Sequence, residues 1–355
     1  MMKVLMAMSG GVDSSVAAKL LCDEGYECIG CTMKLYDNCD AGLPRGRTCC
    51  SLDDVEDARS VAFSLGMRYY VFNFKDDFRE KVIKKFASGY LRGQTPNPCI
   101  DCNRYMKFDK LFERAKLLGC DKIATGHYAR IEFDGRKYRL KKALDKSKDQ
   151  SYVLYMLTQE QLAHALFPLG SLHKTDTRAI ADTADLSSAH KPDSQDICFV
   201  PDGDYAAAIE RLAGIKAPCG NFIDASGKVI GTHRGITHYT VGQHRGLGLS
   251  LPERRYVCSI DAENSTVTLG GSDELYSSTA EVRGFNWISG ETPAEPIRCT
   301  AKIRYRQPEQ PATAIAHKDG SITIQFDAPQ RAVTPGQAAV LYDGDTVLGG
   351  GEIVR

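Results

Sequence analysis

The 355-residue sequence predicts an α/β protein built in three units. Three observations carry that expectation. Over the first two hundred residues short apolar runs alternate with helical patterns; after about Pro201 the chain turns Gly-rich with brief strands; from about Tyr276 onward alternating runs are broken by turn residues at regular intervals. Residues 1–202 are therefore expected to form an open, mainly parallel sheet. Residues 203–275 read as a small mixed linker unit and residues 276–355 as a small antiparallel β-barrel or sandwich. A chain of this length also suits two or three units better than one.

The elements follow in order. "VLMAM" is a short continuous apolar run, as expected of a strand buried on both faces, and in "SSVAAKLLCDEGY" Val16, Leu20 and Leu21 recur at helical spacing. "CIGCTMKL" reads as a second strand, "LDDVEDARSVAFSLG" as a helix ended by Gly66, and "RYYVFNF" as a third strand. Another helix covers "DDFREKVIKKFASGYLRG". A loop bounded by Gly and Pro, "RGQTPNPCIDCN", then carries Cys99 and Cys102; it is followed by the helix "FDKLFERAKLLG" and the strand "KIATGHYARIE". In the linker unit a helix, "DYAAAIERLAG", precedes the Gly-rich strands. In the last unit "IRCTAKIRYR", "TAIAHKDGSITIQFD" and "GQAAVLYDGDTVLGGGEIV" supply the alternation. Open parallel sheets bind ligands at the carboxyl ends of their strands, which is where "MSGGVDSS" and "ATGHY" both fall.

Composition excludes several classes. Lys plus Arg equals Asp plus Glu at 45 each, so no global charge attracts nucleic acid and any polyanion must be held by a local patch. In "DGRKYRLKKALDKSKDQS" the cations Arg136, Lys137, Arg139, Lys141, Lys142, Lys146 and Lys148 outnumber the acids Asp134, Asp145 and Asp149; this is either a solvated hairpin or a nucleic-acid patch. The apolar run at the N-terminus stops at "SGG", and no stretch approaches the roughly 18 apolar residues of a membrane span. Thirteen cysteines scattered without a signal segment suit a reducing cytoplasm, with no membrane partner. The adjacent Cys49 and Cys50, with Cys39, carry little weight as a metal site.

"MSGGVDSS" sits between a buried strand and a helix, the placement that makes a Gly-rich turn an anion site. Gly10 and Gly11 let the backbone approach phosphate oxygens, exposed amides at the helix start donate to them, and Ser9, Ser14 and Ser15 add hydroxyls. Asp13 is unexpected in an anion cradle, and reads as a helix cap or as a ligand of phosphate-bound magnesium. The loop lacks the Gly-Lys-Ser/Thr ending whose lysine grips terminal phosphates. A tight strand–helix turn without a ligand is the plainer alternative.

"SGGVDS" after a first buried strand resembles the pyrophosphate loop of the ATP-pyrophosphatase family, whose members split ATP between its first and second phosphates and adenylylate an oxygen. "TPNPCIDCNRYMKFDKLF", "ATGHYAR", "KSKDQSYVLYML", "DSQDICF" and "GQAAVLY", in this order and spacing, resemble the bacterial tRNA-specific 2-thiouridylases over nearly the whole chain. The resemblance implies a Rossmann-like N-terminal unit. It also implies an enzyme that uses ATP and Mg2+ to adenylylate the 2-carbonyl oxygen of the wobble uridine, and replaces that oxygen with sulfur from a cysteine persulfide. Its partners would be tRNA and a sulfur-donor protein, either a cysteine desulfurase or a relay protein. By the same resemblance Ala7, Met8, Ser9, Gly10, Gly11, Val12, Asp13, Ser14, Met33 and Gly126 contact the nucleotide. Cys198 carries the persulfide and Cys102 is the second thiol. His127, Lys148, Asp149, Gln150, Arg304, Tyr305 and Gln337 contact tRNA, which turns the basic hairpin towards RNA binding. In "KIRYR", Arg304 can hold phosphate and Tyr305 can stack on a base.

The chemistry accounts for the residue types. A urea-like carbonyl is a poor electrophile until its oxygen becomes an adenylate, after which a sulfur nucleophile can displace it. Two thiols are useful because one carries the terminal sulfur and the other attacks the sulfur–sulfur bond to release it. Cys99 departs from a well-known form of the family, which has aspartate here, so an acid–base role at this position is in doubt. Cys99, Cys102 and Cys198 together would also suit a [4Fe-4S] cluster with one open iron, or zinc, as the alternative to the persulfide–disulfide route. Two other readings remain: an amide-forming synthetase with the same loop, and an RNA-binding module with a structural metal, which would consume no ATP.

Overall fold

The computed structural model describes residues 1–36, 52–193, 197–200 and 203–354; Cys39, Cys49 and Cys50 lie outside them. The N-terminal sheet is parallel throughout, in the order β3-β2-β1-β4-β7. Its strands are β1 (Lys3–Ala7), β2 (Glu27–Lys34), β3 (Arg68–Asn73), β4 (Lys122–Ala124) and, after the hairpin of β5 (Ala129–Phe133) and β6 (Tyr138–Lys142), β7 (Ala165–Leu166). Alternation along β1 separates two cores. Val4 and Met6 pack with Val16, Ala17 and Leu21 of α1 (Val12–Asp23) and with Ala58 and Val61 of α2 (Leu52–Ser64). Leu5 faces the other side, under Phe78, Phe86, Leu111 and Phe112 from the helical stretches 75–91 and 98–117. Fully burying a Val, Leu, Met or Phe side chain contributes about 1.5–3 kcal/mol, which is why an unbroken apolar run forms the central strand.

Two local expectations need correction, and one helix carries an unforeseen detail. "KIATGHYARIE" is not one strand: β4 ends at Ala124, and β5 leaves the parallel sheet to pair with β6. The break is steric in origin. A Cβ on Gly126 would lie 2.9 Å from the backbone of Asp13 and Ser14, so the chain here runs against the start of α1 and cannot continue as a flat strand. The cysteine segment is also not a loop. Asn97 Oδ1 accepts from the Cys99 amide at 3.0 Å and Pro98 occupies the first helical position, so Cys99 and Cys102 begin a helix. Finally, the helix over 75–91 carries a π-helical turn at Arg79–Ile83.

The central unit is a mixed sheet of β8 (Gly220–Ile223), β9 (Val229–His233), β10 (Tyr256–Asp261) and β11 (Thr266–Gly270), in the order β10-β11-β8-β9. It closes over Phe222, Val257, Val267 and Leu269. The six remaining strands are β12 (Tyr276–Trp287), β13 (Ile297–Lys302), β14 (Gln310–Ala316), β15 (Ile322–Arg331), β16 (Ala338–Asp343) and β17 (Thr346–Ile353). They run β12-β15-β14-β13-β16-β17, and β17 pairs back to β12, closing an antiparallel barrel around Val282, Ile324 and Leu341.

The barrel is docked on the N-terminal unit. Lys141 of β6 pairs with Thr346 of β17, and Arg130 reaches Asp345 at 2.7 Å. The buried Tyr152 hydroxyl donates to the Ala338 carbonyl at 2.8 Å. The segment leading into the cysteine helix is tied down as well: the Thr95 amide donates to the Pro335 carbonyl at 2.8 Å, and the Gln337 side-chain amide donates to the Thr95 carbonyl. Among the described residues no helix is long and apolar enough to cross a membrane.

Candidate active site

The turn after β1 is fixed before any ligand arrives. Gly10 has φ of +75°, and a Cβ there would fall 2.4 Å from the Asp54 carbonyl oxygen, so only glycine fits. The Ser14 hydroxyl donates to the Gly11 carbonyl at 3.0 Å and accepts from the Ser9 amide at 3.1 Å, while the Ser15 hydroxyl donates to the same carbonyl at 3.0 Å. The Met8 carbonyl is held from behind by the Thr32 hydroxyl at 2.7 Å. Free amides at the start of α1 then face the carboxyl end of the sheet, where an anion is stabilised.

Asp13 is not the cap. Gly11 occupies that position, and Asp13 Oδ1 accepts from the Tyr128 hydroxyl at 2.9 Å and from Lys174 Nζ at 2.6 Å. Lys174 also meets Asp193 at 2.8 Å, as do Lys148 and Arg178. Burial opposes ionisation of Asp193, yet Lys148 and Lys174 pull its carboxyl down to about 2. The charges beside the loop are thus largely balanced by one another.

The facing wall is the cysteine helix. From Cys102 to Lys110 it is π-helical, and the Leu111 amide donates to the Met106 carbonyl five residues back. Side chains five apart therefore share a face, which sets Cys102, Asn103 and Lys107 together on the cavity. The Asn103 amide nitrogen donates to the Val153 carbonyl at 2.9 Å, leaving its buried Oδ1 without a partner. Burial pushes the Cys102 thiol up, with Lys107 pulling the other way and Asp101 adding to the rise. Asp101 itself points elsewhere and pairs with Lys85 at 2.7 Å.

His127 is buried between these walls, 2.6 Å from the Thr125 hydroxyl through Nδ1 and 3.4 Å from Lys107 Nζ through Nε2. Burial, and then Lys107, hold it neutral well below its ordinary range. Because the ammonium can only donate, Nε2 is the acceptor and the ring proton sits on Nδ1. The third wall is residues 197–199. Here the Tyr36 hydroxyl donates to the Cys198 carbonyl at 2.7 Å, and Phe199 is wedged edge-on against Phe78 and Phe86.

The cavity between these walls, about 370 Å³ and half open to solvent, is of ligand size. Of the residues singled out in the sequence, Ala7, Met8, Ser9, Asp13, Ser14, Met33, Cys99, Cys102, Gly126, His127, Gln150 and Cys198 line it. Gly10, Gly11 and Val12 shape the turn from behind. Among the described residues no group of three or more His, Cys, Asp or Glu is placed to hold a metal ion, so Cys99, Cys102 and Cys198 share a cavity without forming a ligand set.

The expected RNA contacts are brought together in part: His127 and Gln150 line the cavity, and the Tyr305 hydroxyl donates to the Asp149 carbonyl at 3.4 Å. Gln150 Oε1 accepts from the Tyr128 amide at 3.0 Å, and Asp149 caps its own turn through the Ala143 amide and the Ser151 hydroxyl. Arg304 donates to the carbonyls of Val241 and Ala332 and to the Thr334 hydroxyl, at the joint between the central unit and the barrel. Tyr305 is 39% exposed. Five of the seven cations in the basic hairpin are paired with acids: Lys137 with Glu291, Arg139 with Asp134, Lys141 with Glu132, Lys142 with Glu309 and Lys148 with Asp193. Sequence reasoning passed over Asn103 and Lys107. Asn103 and Lys107, four apart, would share a face of any helix; the π-helical register is what brings Lys107 to the side of Cys102, five positions before it.

Three families known from other proteins match successive parts of the chain. The family described as "tRNA methyl transferase HUP domain" matches residues 2–202, "tRNA methyl transferase PRC-barrel domain" matches 212–271, and "Aminomethyltransferase beta-barrel domain" matches 277–353. A tRNA-specific 2-thiouridylase of Acetivibrio thermocellus is 52% identical over 355 residues, covering 99% of each chain. One from Caldanaerobacter subterraneus subsp. tengcongensis is 51% identical over 356 residues, covering 99% of this chain and 98% of its own. One from Clostridioides difficile is 48% identical over 355 residues with the same coverage. At that identity over full length, the chain belongs to the family of the tRNA-specific 2-thiouridylases.

Proposed function

We propose that this cavity thiolates the 2-carbonyl of the wobble uridine of tRNA in two stages. In the first, ATP lies with its phosphates on the amides at the start of α1 and its base towards Met33. The uridine O2 attacks the α-phosphorus, the bond to the bridging oxygen of the β-phosphate breaks, and pyrophosphate leaves. In the second, Cys198 carries a terminal sulfur received as a persulfide. Cys102 attacks the Sγ of Cys198, a Cys102–Cys198 disulfide forms, and the terminal sulfur departs with the electron pair, adds to C2 and expels AMP. A dithiol reductant restores the two thiols between turnovers.

The observation that supports this reading best is that Cys102 and Cys198, from different walls, line the same cavity as Ser9 and Ser14 of the phosphate turn. The wording of two matched families suggests methyl transfer, but that chemistry would leave both thiols and the phosphate turn without a task. Magnesium would travel on the ATP phosphates, because Asp13, the carboxylate among the described residues that line the cavity, is already engaged by Lys174 and Tyr128. No step is assigned to an iron–sulfur cluster or zinc. In this reading residues 1–202 hold the chemistry, 203–275 link, and 276–355 present the exposed Tyr305 to RNA. His127 and Gln150 meet the incoming base, and Lys148, Arg304 and Gln337 order the surfaces around it. A persulfide-bearing protein would supply the sulfur to Cys198.

The test is to incubate the protein with ATP, Mg2+, unmodified tRNA and a sulfide source, then measure pyrophosphate and 2-thiouridine. Cys198→Ser and Cys102→Ser should abolish thiolation yet keep tRNA-dependent pyrophosphate release. Pyrophosphate release by the unaltered protein with no sulfur entering the tRNA would overturn sulfur transfer.

A further inference from the structure

We propose that Lys107 is a catalytic residue of the adenylyl-transfer stage, its ammonium holding the non-bridging oxygens of the phosphoryl group as it passes to the uridine. The inference rests on the functional reading above and adds a charge that the phosphate turn lacks. The turn offers neutral amides and hydroxyls but no lysine. The nearby cation, Lys174, is bound to Asp13 and Asp193. Phosphoryl transfer spreads charge over the equatorial oxygens, and fixed cations aimed at that charge are the usual means of stabilising it.

Lys107 is the one cation among the described residues that line the cavity. It comes from the wall opposite the turn. No carboxylate among the described residues is within 4.0 Å of its ammonium, and its polar neighbour is the neutral His127 ring at 3.4 Å. That imidazole can orient the ammonium but cannot offset its charge. A half-buried cation without a counter-charge is unfavourable, and an anion entering the cavity relieves it.

The backbone is built to deliver it there. In an ordinary helix residues five apart point in different directions; the π-helical register of Cys102–Lys110 turns Lys107 to the face that carries Cys102. The rival anion is a thiolate at Cys102. Burial holds that thiol above its ordinary value, so at rest it does not supply the missing negative charge. Phosphate arrives already ionised.

The experiment is single-turnover pyrophosphate release by the full chain with ATP, Mg2+ and unmodified tRNA. Lys107→Met should slow release by ~10²–10³-fold, the usual loss on removing one such electrostatic group. Lys107→Arg should recover part of it. Lys107→Gln takes the place of Lys107→Met if that variant melts early. Equal release by the unaltered protein and Lys107→Met overturns this inference alone, including when Lys107→Met then fails to thiolate, since the cation would then serve the sulfur stage. Absence of tRNA-dependent release from the unaltered protein overturns both this inference and the functional reading.

Discussion

Gly126 shows how one residue can be required by the protein's own backbone as well as by a ligand. The sequence suggests that its missing side chain admits a nucleotide. In the structure the Cβ it lacks would strike the Asp13–Ser14 backbone at 2.9 Å, within the first turn of α1. Gly126→Ala must therefore push α1 and the turn after β4 apart. Overpacking of this kind costs about 1–3 kcal/mol, which urea unfolding will show. Because the displaced backbone carries the phosphate-binding amides, pyrophosphate release should fall further, by roughly 10²-fold for a shift near 1 Å. A variant of full stability and full rate would show that the close approach is not needed. Gly10 is constrained twice over, by its positive φ and by the Asp54 carbonyl; "SGG" between a strand and a helix announces the tight turn, but not the approach of Asp54 from α2.

At the scale of elements, the cysteine helix governs the site. Asn97 caps it through the Cys99 amide, and the helix starts one residue later, so the cap sets the direction in which Cys99 and Cys102 leave the backbone. Asn97→Ala should cost about 1 kcal/mol of stability and reduce thiolation more than it reduces pyrophosphate release, measured side by side. Equal losses in the two activities would mean the cap matters only for folding. The strand–turn–helix of β1 and α1 was readable because apolar period and glycine placement agree. The cysteine helix was not, because "NPC" serves equally as a turn signal and as a cap followed by a proline at the first helical position. Nothing local in "CNRYMKFDK" announces a π-helical register either; it emerges from packing Met106 and Phe108 into the core. "KIATGHYARIE" misled for a related reason: its apolar residues suit a strand, and only the tertiary approach of Gly126 to α1 breaks it. Arg304 and Gln337 carried RNA-binding chemistry in sequence, but the fold occupies them with backbone carbonyls.

At the scale of the whole molecule, charge ties separate segments together around the phosphate turn. Asp193 joins Lys148 after the hairpin to Lys174 and Arg178 of the helix Lys174–Thr183, and Lys174 passes the link to Asp13 of α1. The Asp193 carboxyl lies at about 2 against an ordinary 3.8, so its folded value is depressed. Its contribution to stability is complete above about pH 3.8 and disappears as pH falls through about 2. The difference in unfolding free energy between the unaltered protein and Asp193→Asn should be flat from neutral pH down to that upper limit and then shrink with acid. A difference that is unchanged throughout would remove the carboxylate from the account.

The short connection at residues 92–97 has a mechanical meaning for the chain as a whole. It is hydrogen-bonded to the barrel through Pro335 and Gln337 and continues directly into the capped turn that bears Cys99. Any displacement of the barrel rim relative to the N-terminal unit must therefore either carry the first cysteine-bearing turn with it or break those hydrogen bonds.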